Sequence, residues 1–298
     1  MQKVPTLLDV VHALIEKTDI HFVLTGSSAR KLKHGHANML AGRAFVRDLY
    51  PFSYIELDDE FDLNTALQFG MLPKIHQLKN DASRQDFLRA YTHVYLKEEV
   101  WAEHLIRKLE PFQRFLEVAA QVNGTPLNYA NIARDVGVTD NTIAEYFSIL
   151  EDALIGFTLP AFRHSFRKRL SQRGRFYFFD VGIVRALCNT LTIPLVEHTY
   201  DYGNTFEHFI ILECLKLGKT FYPDLRYSHL RSNDGFEIDL VVERPGKQLL
   251  LVEIKSGTEV TDTDLPHLEK AARELDAECI CLANIARARK YENLTIYP

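Results

Sequence analysis

The chain has 298 residues, 46% hydrophobic and 25% charged, with a formal net charge of −5. This is the composition of a folded globular protein, and its length calls for two or three domains. An acidic balance excludes a global positive field for nucleic acid, so any such contact must come from a local basic patch. No apolar run approaches the ~20 residues that cross a bilayer and no signal pattern opens the chain, which predicts a cytoplasmic protein without membrane contact.

Leu7 to Ile15 has the spacing of an amphipathic helix. Ile20 to Ser28 reads as a strand ending in a polar turn, Lys31 to Leu40 as a weak helix or loop, and Gly42 to Ser53 as a strand-like segment entering a turn at Tyr50-Pro51. Residues 62–104 read as a helical connector, with helical spacing over Leu63–Phe69, Asp86–Val94 and Leu96–Ile106 and a break at Gly70-Met71-Leu72-Pro73.

Helices are expected over Phe112–Val122, Tyr129–Val136 and Asp140–Ile155. Ala133, Gly137 and Ile143 take the small, turn and apolar positions of a helix-turn-helix, and Thr139 caps the last helix, which predicts a three-helix winged-helix fold. The outer face of that helix offers Asp140, Asn141, Thr142, Glu145 and Ser148, and its acids repel phosphate. Residues 163–175 carry six basic side chains and no acid: Arg163, Arg167, Lys168, Arg169, Arg173 and Arg175. They read as a basic wing that touches a DNA backbone; the alternative is a solvated hairpin on a unit that docks a protein partner. Arg175 to Phe179 reads as a buried strand, with Asp180 and Gly182 as turn and cap residues of the next helix.

Gly203 to Leu217 reads as an amphipathic helix with Glu207 near its start. Strands follow at Leu225–Arg231, Phe236–Glu243 and Leu249–Lys255, then a helix at Asp262–Leu275 and a strand at Glu278–Ala283, in the order αβββαβ. Leu249 to Val252 is apolar on both faces, which marks a central strand. Glu253 and Lys255 share one face of it, and a buried carboxylate there needs a lysine or a metal ion as partner. Register decides whether Asp239 can join them. A two-residue turn at Pro245-Gly246 would set Asp239 opposite Val252 and turn Glu253 away; an odd-length loop or a bulge brings the two carboxylates together. The four cysteines, Cys188, Cys214, Cys279 and Cys281, lie in apolar patterns and read as reduced core residues.

Asp239 followed fourteen residues later by Glu253-Ile254-Lys255 resembles the PD-(D/E)XK nuclease superfamily, and the element order is that of a restriction-endonuclease-like core. The resemblance implies a metal-dependent phosphodiesterase. Mg²⁺ would be held by Asp239, Glu253 and the Ile254 carbonyl, with Glu207 contributed by the first helix and Lys255 orienting the attacking water. At the other end, Gln2-Lys3-Val4-Pro5, Leu24-Thr25-Gly26-Ser27-Ser28, Ala41-Gly42-Arg43 and Leu49-Tyr50-Pro51-Phe52-Ser53 resemble prokaryotic AAA-like ATPases that end in a domain with a nuclease-like segment. That resemblance implies that Thr25 and Ser27 are the remnant of a nucleotide site whose Walker A and Walker B motifs would precede Gln2. Gly218-Lys219-Thr220 does not supply a Walker A loop, because Glu213 stands where its first glycine should be. ATP is therefore not expected to bind this chain.

The expected architecture is a mixed α/β and α+β multidomain chain: an incomplete AAA-like part with its connector over 1–104, a winged helix over 105–174 and a nuclease-like domain over 175–298. Three functions stay open, namely a DNA-associated module with a Mg²⁺-dependent nuclease-like site, an inactive binding or regulatory module, and an AAA ATPase whose N-terminus is missing from the gene model.

Overall fold

The computed structural model describes residues 7–26, 45, 47–95, 109–162, 173–231, 237–261, 265–291 and 294–298. Helix α1 (Leu7–Lys17) forms where its apolar spacing predicts. The strand expected over 20–28 does not form in its described part, and residues 45 and 47–50 are irregular as well. Val23 and Leu49 are 91% and 98% exposed. β-formers become a strand only when a neighbouring strand takes up their N–H and C=O groups, and among the described residues none does so here. The helix or loop expected over 31–40 lies outside the described residues.

The connector is helical: α2 (Tyr54–Leu57), α3 (Leu63–Phe69), α4 (Pro73–Gln77) and α5 (Asp81–Ala90), the last running into a π turn at Tyr91–Tyr95. Asp62 and Asn80 cap α3 and α5 through their side-chain oxygens. Next come α6 (Leu109–Gln121), α7 (Tyr129–Val136) and α8 (Asp140–Asp152), with Thr139 Oγ1 accepting from the Thr142 N–H at 3.3 Å and Gly137 in the left-handed region at φ 80°. Phe112, Phe115, Ile132, Val136, Ile143 and Phe147 fill the core between them.

β1 (Gly156–Leu159) and β2 (Arg175–Phe178) pair antiparallel against these helices. Phe176 and Phe178 enter the helical core while Tyr177 enters a second core on the opposite side, the alternation a strand imposes. The pairing ties 175–178 to the helical unit, whereas the sequence expectation began the C-terminal domain at residue 175.

Asp180 then caps α9 (Val181–Leu187). Its Oδ1 accepts from the Gly182 and Ile183 N–H groups at 2.8 and 3.3 Å, and its Oδ2 accepts from the Met71 N–H at 2.7 Å. The cap reading of Asp180 holds, and the same carboxylate pins the connector to α9.

Six strands form the main sheet in the order β3-β4-β5-β6-β8-β7: β3 (Arg226–Arg231), β4 (Glu237–Glu243), β5 (Leu250–Lys255), β6 (Glu278–Ala283), β7 (Arg289–Lys290) and β8 (Thr295–Tyr297). β3, β4 and β5 run antiparallel, and β5–β6 and β6–β8 run parallel. Helix α10 (Tyr200–Phe221) covers one face, where Phe206, Phe209 and Leu212 meet Leu240, Val252 and Ile254. Helix α11 (Pro266–Leu275) covers the other, where Leu268 and Ala271 meet Val241, Leu251 and Cys281. β5 is central and buried on both faces, as its unbroken apolar run requires. Gly218, Lys219 and Thr220 lie inside α10, so no phosphate-binding loop exists there.

Two further contacts join the units. Glu213 and Lys216 of α10 form a buried ion pair, Lys216 Nζ donates to the Phe52 carbonyl at 2.7 Å, and Glu213 Oε2 accepts from the Tyr54 N–H at 3.0 Å. Pro160 to Phe162, leaving β1, lies along β3: His229 N donates to Pro160 O at 2.9 Å and Phe162 N to His229 O at 2.6 Å.

Candidate active site

β4 and β5 pair Leu240 with Val252, Val241 with Leu251 and Val242 with Leu250. Carried one residue further, this register sets Asp239 opposite Glu253. It centres the hairpin on Gly246, at φ 73°, so the loop has an odd length and the even turn that would separate the carboxylates does not form. On its other side β4 bulges: Ser228 faces Val241 but Leu230 faces Ile238, so Asp239 and Leu240 together oppose His229. A bulge bends the strand and re-aims its side chains. Asp239 turns toward β5, where its Oδ2 accepts from the Ile254 N–H at 2.8 Å.

Glu253 is 4% exposed. Its Oε1 accepts from Lys255 Nζ at 2.7 Å and faces His267 Nε2 of α11 at 3.3 Å, while its Oε2 is buried without a hydrogen-bond partner. Glu207, in the second turn of α10, accepts from the Tyr177 hydroxyl at 3.2 Å and lies 3.7 Å from an Arg175 nitrogen. The other end of the Arg175 guanidinium donates to Glu237, whose second oxygen is 3.3 Å from Arg231.

The cluster carries more negative charge than its cations balance. Burial first, then Glu207 and Glu253, push the Asp239 carboxyl well above the usual carboxylate range; the Ile254 N–H and Lys255 only partly offset this. Glu207 is also raised, by burial and then by Glu253 and Glu237, against the pull of Arg175 and Tyr177. Lys255 stays above the ordinary lysine value although burial opposes its charge, because Glu253 and Asp239 favour it. Cys281, opposite Glu253 on β6, is pushed up to about 12 by burial and then by Glu253, so it remains a thiol and not a soft thiolate ligand.

Among the described residues, no three His, Cys, Asp or Glu side chains are gathered as a ready-made metal centre. The side chains that are present offer hard oxygen donors. Carboxylate oxygens predominate, one Glu253 oxygen is orphaned, and burial together with neighbouring carboxylates raises both Asp239 and Glu207. Asp239 and Glu253 stand opposite each other on β4 and β5 with Lys255 beside Glu253, while Glu207 is engaged by Tyr177 and Arg175.

Other sequence-derived site residues stand apart. Thr25 is exposed on irregular chain, and Ser27, Arg163, Arg167, Lys168 and Arg169 lie outside the described residues. Arg173 is exposed. Arg175 does not belong to a phosphate-tracking wing: it is 4% exposed and its guanidinium is spent on Glu207 and Glu237. Tyr177, Glu237 and His267 were not singled out from sequence. The alternation Arg175-Phe176-Tyr177-Phe178 held the only signal for Tyr177, since it gives the strand a polar face as well as an apolar one.

Three family models match successive parts of the chain: an AAA domain over residues 1–58, a Domain of unknown function (DUF8612) over 60–193 and a Domain of unknown function (DUF4143) over 202–298. Uncharacterised proteins of Mycobacterium bovis and Mycobacterium tuberculosis are each 22% identical over 274 residues, covering 91% of this chain and 59% of the relative. An uncharacterised protein of Methanocaldococcus jannaschii is 19% identical over 306 residues, covering 95% of this chain and 66% of its own length. The chain thus spans about three-fifths of the length of the mycobacterial relatives, 59% in each case. No solved structure matches it. The AAA-domain match at the N-terminus, taken with the DUF4143 match, supports an AAA-like ATPase family for this chain.

Proposed function

We propose that the sheet unit is a divalent-cation-dependent phosphodiesterase of the PD-(D/E)XK nuclease type, carried by a DNA-associated module of an AAA-like ATPase. The observation that carries this reading is the β4–β5 register, which sets Asp239 opposite Glu253 with Lys255 on the same strand. The order α10-β3-β4-β5-α11-β6 is that of a restriction-endonuclease-like core and supports the same reading.

When bound, Mg²⁺ would supply Lewis acidity toward a phosphodiester and lower the pKa of a water. Asp239, Glu253 and Glu207 would be the residues to hold the cation, with the Ile254 carbonyl as a further oxygen. The Lys255 ammonium would orient the attacking water and offset charge on the scissile phosphate. This reading predicts cleavage of linear or plasmid DNA in Mg²⁺ that stops with chelator; intact DNA under both conditions would reject it.

A winged helix is the proposed identity of α6, α7, α8 and the β1–β2 hairpin, supported by the left-handed Gly137 turn, the Thr139 cap and the position of the basic segment between the hairpin strands. With Arg175 engaged elsewhere, DNA contact falls to Arg163, Arg167, Lys168, Arg169 and Arg173. Neutralising two of these should lower the slope of log K against log salt by ~2 in a filter or anisotropy titration, with sequence preference unchanged. An unaltered slope would favour a protein partner.

One observation favours a second reading, an inactive binding or regulatory module: Lys255 and His267 already close on Glu253. DNA binding without cleavage in Mg²⁺ or Mn²⁺ would select it.

A further inference from the structure

We infer that residues 52–54, at the end of the stretch matched by the AAA-domain model, form a latch through which a displacement of that N-terminal part is passed to α10 and so into the sheet unit. The inference goes beyond the phosphodiesterase reading and does not depend on it. Glu213 and Lys216 stand one turn apart on α10, are 4% and 6% exposed, and pair with each other. Each also bonds main chain of the AAA-matched stretch: Lys216 Nζ donates to the Phe52 carbonyl at 2.7 Å, and Glu213 Oε2 accepts from the Tyr54 N–H at 3.0 Å. A buried ion pair adds little net stability over two apolar side chains of similar size, whereas stripping one of its charges of partners is costly. What this pair supplies is position. If residues 52–54 move by more than a hydrogen-bond length, two buried charges and two backbone groups lose partners together, so α10 follows the segment instead of releasing it.

The same residues reach the helical unit. Phe52 N donates to the Met71 carbonyl at 3.0 Å, and the Met71 N–H donates to Asp180 Oδ2 at 2.7 Å, at the cap of α9. A Cβ on Gly182 would lie 2.1 Å from the Phe69 carbonyl oxygen, so closely do residues 69–71 seat on α9, and they have no room to slide. Within the latch, Ser53 N and Oγ both donate to Glu56 Oε2, at 2.7 and 2.8 Å, which binds residues 53–56 into one turn. Beyond it the chain stays on α10: Leu57 packs in the core that α10 shares with the sheet, and Phe61 stacks on Phe209 with ring centroids 6.0 Å apart. The three matched stretches therefore meet at Phe52, whose N–H bonds the connector and whose carbonyl bonds α10.

The test is hydrogen exchange of the full chain with two substitutions at Tyr54, the first residue of α2. Proline suits that position, because Ser53 before it is extended at φ −91° and ψ 163°. Tyr54→Pro deletes the ring and the N–H that Glu213 holds, whereas Tyr54→Ala deletes the ring and keeps the N–H, so the difference between them isolates the bond. Amides of α10 around Glu213 should exchange about 10-fold or more faster in Tyr54→Pro than in Tyr54→Ala, the scale of one hydrogen bond to a charged group. With Glu213→Leu and Lys216→Met introduced together, the two Tyr54 variants should exchange alike in α10, because the pair that reads the N–H is gone. Equal α10 exchange in Tyr54→Pro and Tyr54→Ala on the wild-type background would overturn the inference, and that comparison decides alone if the chain without the ion pair does not fold. A difference that persists without the ion pair would overturn it as well, by showing that α10 feels the segment through packing only. No cation or DNA enters the measurement, so its failure would leave the phosphodiesterase reading as it stands.

Discussion

Asp239→Asn is expected to lower DNA cleavage by about 10²–10³-fold or more and, in chelator, to make the protein more stable. Both effects come from one cause. Asp239 is a part-buried carboxylate whose desolvation, with the charges of Glu207 and Glu253, raises its pKa well above the ordinary aspartate range. A folded-state pKa above the unfolded one means that the group's contribution to stability is fully present below the unfolded value and is lost as pH rises through the raised value. Cation-free wild type should therefore weaken from acid toward neutral pH across that window, and Asp239→Asn should weaken less. Asparagine can still accept from the Ile254 N–H, so the variant sheds the charge without orphaning the backbone donor. A gain of about 1–4 kcal/mol at neutral pH is expected, the scale on which replacing a poorly compensated buried charge by a neutral group acts. Urea melts in chelator at acid and neutral pH check it. A variant less stable than wild type at both would mean that Asp239 is a structural acceptor and not a strained ligand.

Asp180→Ala should destabilise the chain by about 3–5 kcal/mol with no chemical role lost. Three backbone donors depend on this one side chain: Gly182 and Ile183 in the first turn of α9, and Met71 from the connector. The side chain is 2% exposed, so water cannot replace it. Loss of the acceptor strands buried N–H groups and detaches the connector from α9. Hydrogen exchange should accelerate at both 70–72 and 181–184; acceleration at only one would show that the two segments are not held in common.

Local chemistry made much of this chain legible. Thr139 and Gly137 bracket their turn as their residue types demand, and the two-sided apolar run of Leu249 to Val252 gave a central strand. The odd-length hairpin was the condition on which the carboxylate pair depended, and sequence could state that condition but not choose the loop, because loop closure is set by β3, β5 and α10 together. Arg175 was misread for a related reason. It ends a basic run, and charge runs face water unless acids elsewhere in the chain claim them; Glu207 and Glu237 do so from 32 and 62 residues away in sequence. Ile20 to Ser28 failed the other way, having strand-forming residues but no described partner strand.

The most direct test of the carboxylate cluster as a cation site is the anomalous scattering of Mn²⁺ in crystals of the full chain. The account predicts one peak within about 2.2 Å of oxygens from both Asp239 and Glu253, with the Lys255 ammonium displaced from Glu253 Oε1. A peak held by other residues, or none at millimolar Mn²⁺ with the Lys255–Glu253 pair intact, would contradict it.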